Sequence, residues 1–504
     1  MPRALRVETP PGSGRYRAAR YQGRAATTDC SACCGDPLGA CCFGNGSCTP
    51  DLTEAQCVAQ GGQWMGAGTA CTPNPCPPGP CQPQGPHLVA CGFFSSASLV
   101  AGTRNIAAWD GIDWKPLAGG FDRAVTCAAI VNGELWVAGN FRLTFDSPAD
   151  TVGRPCLGVA RWVCDRWQQV GQGILDTTGF ETVLSIGRRL ILGSNPAAFD
   201  TVIGGDFSRD GNNVPLKALA LWTGSAWIQT GPFNQTTGGY VRSVASYDLR
   251  DDPVIVNPVN SGAIGGSFAN LPSGGLANNI AKMNASVEHY VAASGARGIT
   301  GEAYNIHHWG ELGHNELVIC GTHSSALGVS DEHTQRITAI QEESTGISVV
   351  LNWTQGVNNT ALVAFRSRSS GRWYVGGNFT QKIAYSPFPG FPAGTLRRIG
   401  RSADSFPRGW QEVNGGILNG DVRAITEWNG EIYIGGYFAP LPTGPRGIAR
   451  DGGLGFWQSL DGGIFGQVQA LIGYEFMLPA PRPGVGCGDC GDDQMIGGGG
   501  LLRA

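Results

Sequence analysis

Charge is the scarcest commodity in this 504-residue chain. Only 15% of its residues are charged and the formal net charge is −4. There is no basic field to attract nucleic acid and no block of like charge to solvate a long tail. Lysine is nearly missing: four of the 35 basic residues are Lys and the rest are Arg. No apolar run approaches the ~20 residues of a membrane-spanning helix, so no membrane span is expected. Residues 1–29 hold no apolar core of the kind a secretory leader needs, so no ordinary leader is expected there. No phosphate-binding loop, dinucleotide fingerprint or Ser-His-Asp arrangement is present. The reading therefore assigns no catalytic residue, no cofactor and no enzymatic activity.

What the chain has in quantity is glycine, 78 residues, with 31 prolines and no collagen period. That composition implies many tight turns between short strands. One phrase organises them. Glu431-Ile-Tyr-Ile-Gly-Gly-Tyr-Phe438 follows an alternating strand and an Asn429-Gly430 hairpin signal. It returns at Leu135–Phe141, Val202–Phe207, Ala263–Phe268 and Trp373–Phe379, with weaker copies at Leu317–His323 and Leu88–Phe94. Each copy is the second of four strand-like pieces. The clearest set is Val125–Val131, Glu134–Phe141, Leu157–Trp162 and Arg166–Val170. Four antiparallel strands per unit of roughly 40–65 residues predict propeller blades and an all-β fold. The Gly-Gly pair is expected to let neighbouring backbones approach closely. The following Phe and the Trp of the outer strands are expected to pack between units. One such unit cannot bury both of its faces, so a ring is required.

The ends of the repeat region are complementary. The first copy, Leu88–Phe94, has no strand before it, and the last strand-like piece, Val468–Phe476, has no Gly-Gly-x-Phe strand after it. The expectation is a seven-bladed β-propeller closed by pairing of the C-terminal strand with the N-terminal blade. Leu88, Val89 and Phe94 would meet Val468, Ala470 and Ile472 across that seam. The Gly-Gly-x-Phe strands and paired Trp residues resemble kelch-like and galactose-oxidase-like propellers. The fuller phrasing is similar to repeats of bacterial and phage surface proteins. The resemblance covers about 390 residues and implies the fold far more than any one activity.

Around the ring the sequence divides into an extended basic arm (1–29), a Cys-rich module with a Pro-rich linker (30–86), the propeller (87–478) and an extended Gly/Cys tail (479–504). The arm carries Arg3, Arg6, Arg15, Arg17, Arg20 and Arg24, and reads as a free tail or as a docking peptide; nucleic-acid binding is the least favoured reading, because the arm is short and the rest of the chain is mildly acidic. Seventeen Cys are present and eleven fall between Cys30 and Cys91, which argues for an oxidising destination. Cys41, Cys42, Cys48, Cys57, Cys71 and Cys76 could make three bridges, in any of fifteen pairings. Their segment resembles small GACC-type modules of exported bacterial proteins. Cys30-x-x-Cys33 and Cys487-x-x-Cys490 could form a four-Cys zinc site if the termini meet, or disulfides. His307, His308, Glu311, His314, His323 and Cys320 form a local group with either ligand or packing roles. Asp210-Gly-Asn-Asn213 offers oxygen ligands without a full calcium-loop pattern.

A disulfide-type module with no apolar leader suits a virion protein released by lysis and oxidised afterwards. A leader missing from this sequence, another export route, or zinc in place of disulfides are the alternatives. The expectation is a non-enzymatic structural or interaction protein on a virion or extracellular surface, such as a phage decoration, fibre or tail-associated part. Its arm and tail would anchor to other structural proteins of a particle or surface layer, and its propeller would meet a host-surface glycan or protein. The alternative is a secreted or cell-surface bacterial propeller that binds or acts on carbohydrate. A third reading is a metal oxidase on the ring axis.

Overall fold

The fold is that of a computed structural model. It describes residues 37–42, 48–59, 63–71 and, between 87 and 474, all but 132, 164–165, 176–181, 192–197, 232, 234–237, 247–261, 272–274, 277, 284–286, 290–296, 312–313, 331–333, 343–347, 352–354, 385–391, 404–408, 439–445 and 454. The chain divides into two compact units. The smaller is a three-stranded antiparallel sheet, Cys48–Leu52, Gly39–Cys42 and Gln63–Ala67 in that order, beside the short helix Glu54–Ala59. It is too small to bury a self-sufficient core, and covalent links compensate. Disulfides join Cys41 to Cys57 and Cys48 to Cys71, and Cys42 is also disulfide-bonded. Of the six expected partners, Cys76 lies outside the described residues.

The larger unit contains seven four-stranded antiparallel sheets among its described residues. Six are contiguous in sequence: sheet 1 within 125–169, sheet 2 within 182–229, sheet 3 within 240–289, sheet 4 within 303–351, sheet 5 within 361–412 and sheet 6 within 421–458. The seventh is discontinuous. Its innermost strand, Ile464–Tyr474, pairs with His87–Ala97, followed outward by Ile106–Trp109 and Trp114–Lys115. The innermost strands lie side by side in chain order, and that of sheet 7 also lies beside that of sheet 1. Buried clusters join each sheet to the next. Sheet 7 shares one with sheet 6, through Phe94, Trp114 and Val468 against Tyr433 and Ile448. It shares another with sheet 1, through Val89, Cys91 and Ile106 against Val125, Val137 and Phe141. This is β-propeller architecture.

Local sequence explains the sheets. In Asp421–Trp428 mostly apolar residues face inward, and Asn429 and Gly430 turn the hairpin with φ of +51° and +75°, the left-handed values a type I′ turn requires. Each Gly of the repeated pair has its own task. The second sits opposite the last residue before a break in register on the innermost strand. A Cβ there would come 2.0–2.3 Å from a carbonyl oxygen of that strand's N-terminal end, as at Gly92, Gly266, Gly377 and Gly436. The first receives an apolar side chain of the following sheet: Val241 against Gly204, Val422 against Gly376 and Val468 against Gly435. The expectation of backbone approaching backbone therefore holds only for the second glycine, and inside its own hairpin rather than between blades. The first makes room for a knob from the next sheet.

The outer Trp residues latch neighbouring sheets. The indole Nε1 of Trp167 donates to Leu117 O at 3.1 Å, that of Trp227 to Val170 O at 3.1 Å, that of Trp410 to Gln355 O at 2.7 Å and that of Trp114 to Leu460 O at 3.3 Å. Each donor stands on the outermost strand of one sheet, and each acceptor just after the outermost strand of the sheet before it.

Candidate functional site: the axial channel

Every innermost strand carries the same irregularity. The pairing register shifts by one residue at Thr126, Leu184, Arg242, Tyr304, Leu362, Arg423 and Gln469. A β-bulge re-aims the extra side chain, and all seven of these line one cavity of about 390 Å³ bounded by all seven innermost strands. That volume is within the range of small-molecule sites.

The cavity is graded. The bulge residues form a half-buried tier near the end where the innermost strands begin, polar at Thr126, Arg242, Tyr304, Arg423 and Gln469 and apolar at Leu184 and Leu362. Arg242 donates through Nε to Glu302 at 2.6 Å, and its guanidinium lies 4.3 Å over the Tyr304 ring. Tyr240 donates to the same Glu302 oxygen at 2.6 Å; burial, and then this bond, push its phenol above the ordinary range. Arg423 makes a two-pronged pair with Asp421 at 2.8 and 2.7 Å, the strongest geometry open to an arginine and a carboxylate. With its amide oxygen turned toward them, Gln467 bridges Arg423 and Gln469. The next tier ties neighbouring strands together. Ser243 Oγ accepts from Ile306 N, and Asn305 Oδ1 from Ala364 N, both at 3.0 Å. This caps strand-edge N–H groups that have no ladder partner on the axial side. Beyond it Ile186, Val244, Ile306, Ile425 and Leu471 add an apolar tier. The two arginines of the cavity are each neutralised by a carboxylate.

Of the residues singled out in the sequence, Ala470 lines the cavity. Leu88, Val89 and Phe94 are buried in sheet 7, and the register pairs Val89 with Ile472, Leu88 with Gly473 and Phe94 with Gly466. Val468 pairs with Gly92 and Ala470 with Cys91. Arg3, Arg6, Arg15, Arg17, Arg20, Arg24, Cys30, Cys33, Cys487 and Cys490 lie outside the described residues. His307 packs edge-on against Trp373 at 5.2 Å between ring centroids. His323 is fully buried with Nε2 2.9 Å from Thr338 Oγ1, and burial pushes its imidazole down to about 3. Asp210 spends its carboxylate on the backbone N–H groups of Asn212 and Val214. Among the described residues no three His, Cys, Asp or Glu groups gather as a metal site. Cys91, Cys127, Cys156 and Cys320 are free thiols, and burial raises each; for Cys127 and Cys156 it reaches about 12. The seven bulge residues are not among those singled out in the sequence, although a signal is present. They are the middle residues of Val-Thr-Cys, Val-Leu-Ser, Val-Arg-Ser and Val-Arg-Ala, at a fixed place before each Gly-Gly hairpin.

No protein-family description matches the chain, and no curated protein does. Among solved structures it is similar to a Lactobacillus plantarum protein, at 11% identity over 77% of this chain and 100% of that one, with a TM-score of 0.31. It is also similar to the Dos1 propeller, at 11% identity over 70% and 88%, with a TM-score of 0.30. The propeller architecture follows from the sheet order and register, not from these likenesses.

Proposed function

We propose that the seven sheets are blades of one closed, kelch-like ring, and that the protein is a non-enzymatic interaction protein of an exterior surface. The ring is a rigid binding platform, closed by the pairing of 464–474 with 87–97. The arm and tail anchor it to other structural proteins, and a phage-like virion component is the assembly that suits it. The observation that carries the reading is the pair of bridges Cys41–Cys57 and Cys48–Cys71 in a unit with little core of its own. Such cross-links belong to oxidising surroundings, while Cys91, Cys156 and Cys320 of the larger unit are buried free thiols. The graded cavity, with paired side chains above an apolar tier, supports a binding role. Mass spectrometry of purified virions or filaments tests this. The protein is expected as a stoichiometric component, and its absence from every such assembly overturns the reading. A secreted or cell-surface bacterial propeller that handles carbohydrate is the second reading, favoured by the aromatic and hydrogen-bonding groups at the channel rim.

A further inference from the structure

The residue between the second Gly and the Phe of the repeated phrase stands at or just past the end of the second strand in sheets 1 to 6, and within His87–Ala97 in sheet 7. In five sheets it is small and polar: Asn140, Asp206, Ser267, Thr322 and Asn378. In sheets 6 and 7, which are neighbours, it is Tyr437 and Phe93, exposed by 63% and 64%. Nothing in the fold requires aromatics there, because the other five sheets are built without them, and exposing two large rings on adjacent sheets has no stabilising purpose.

The groups between them are polar and already organised. Tyr437 is the register partner of Asp421, and its backbone N–H donates to Asp421 Oδ1 at 3.1 Å. Asp421 holds Arg423 in the two-pronged pair, Arg423 meets Gln467, and Gln467 is the register partner of Phe93. Directly opposed residues of an antiparallel pair project from the same side. A continuous tract thus runs from one exposed ring, over a carboxylate, a guanidinium and an amide, to the other. Its charges cancel, so an anion or cation gains little there. Its donors and acceptors alternate, which suits vicinal hydroxyls, and flat rings with apolar faces suit the C–H faces of a sugar.

We propose that this tract on sheets 6 and 7 is a recognition site for an uncharged glycan, with Tyr437 and Phe93 as stacking platforms and Asp421, Arg423 and Gln467 as hydrogen-bonding groups. The proposal rests on the reading of the ring as a surface-binding platform and supplies the chemical class of what it meets. The full-length protein is applied to an array of oligosaccharides ending in neutral glucose, galactose, mannose or N-acetylglucosamine, with sialylated and sulfated glycans alongside. Saturable binding to neutral glycans is expected. Tyr437→Ala and Phe93→Ala should each weaken it at least tenfold with an unchanged melting temperature, while Asp206→Ala at the same position of sheet 2 leaves it intact. An array with no saturable neutral-glycan signal, a signal confined to charged glycans, or one that survives both aromatic substitutions overturns the proposal. Any of these results leaves the particle assignment standing, since that is decided by mass spectrometry.

Discussion

At Gly436 a single methyl group would come 2.0 Å from the carbonyl oxygen of Asp421, at backbone that belongs to a β-bulge and cannot yield. Gly430, in the hairpin turn of the same sheet, has no atom within 4 Å of the place a Cβ would take and is glycine only for its φ of +75°. Gly436→Ala should therefore cost at least ~2 kcal/mol through overpacking, and Gly430→Ala about 1 kcal/mol through backbone conformation. Denaturant titration of the two variants separates close approach from turn geometry. His323 gives a second residue-level test. It takes the place of the Phe in the repeated phrase, and its imidazole protonates near pH 6.5 in the unfolded chain but near 3 in the fold, because burial and then Arg336 disfavour its charge. Between those values the unfolded state binds more protons. Stability should fall as pH drops through that window, by about 1.4 kcal/mol per pH unit from this residue, and be unaffected by it above about pH 7. His323→Phe should remove that part of the acid slope in melting curves between pH 6 and 4. A variant that keeps the wild-type slope contradicts the assignment.

Among elements, the outermost strands bind sheet to sheet through their indoles. Trp227 donates to Val170 O, whereas the Nε1 of Trp457 is buried with no partner among the described residues. Trp227→Phe should cost about 1 kcal/mol and Trp457→Phe less, since only the first breaks a hydrogen bond, while Val170 O keeps the N–H of Gly173. Calorimetric melting of both variants checks the difference. Much at this level was legible in the sequence. Val125–Val131 and the start of the next strand at Glu134 stand as expected, because Asn-Gly turns and Gly-Gly-x-Phe ends punctuate both borders. The outer strands Val287–His289 and Ser348–Leu351 had no Trp to mark them. The last strand begins at Ile464, four residues before its expected start, since Gly466 interrupts the apolar run there without ending the pairing. The channel was hidden for a further reason. A bulge adds one residue to a strand without changing its composition, so alternation alone does not reveal which side chain it turns toward the axis.

For the whole molecule the central claim is closure. Sheet 7 takes its innermost strand from 464–474 and the rest from 87–115, so one strand from the end of the repeats completes a sheet begun at their start. The same strand provides Val468 for the pocket of Gly435 in sheet 6 and Gln469 for the channel rim. Removing it would expose the edge of His87–Ala97, uncover the flank of sheet 6 and open the channel wall at once, and an uncovered edge invites pairing with another chain. The direct measurement is thermal unfolding together with solution mass of a variant lacking residues 464–474, compared with the intact protein. Closure predicts that the variant loses its cooperative melt or self-associates through the vacated edge. A variant that stays monomeric with an unchanged melting temperature would contradict it.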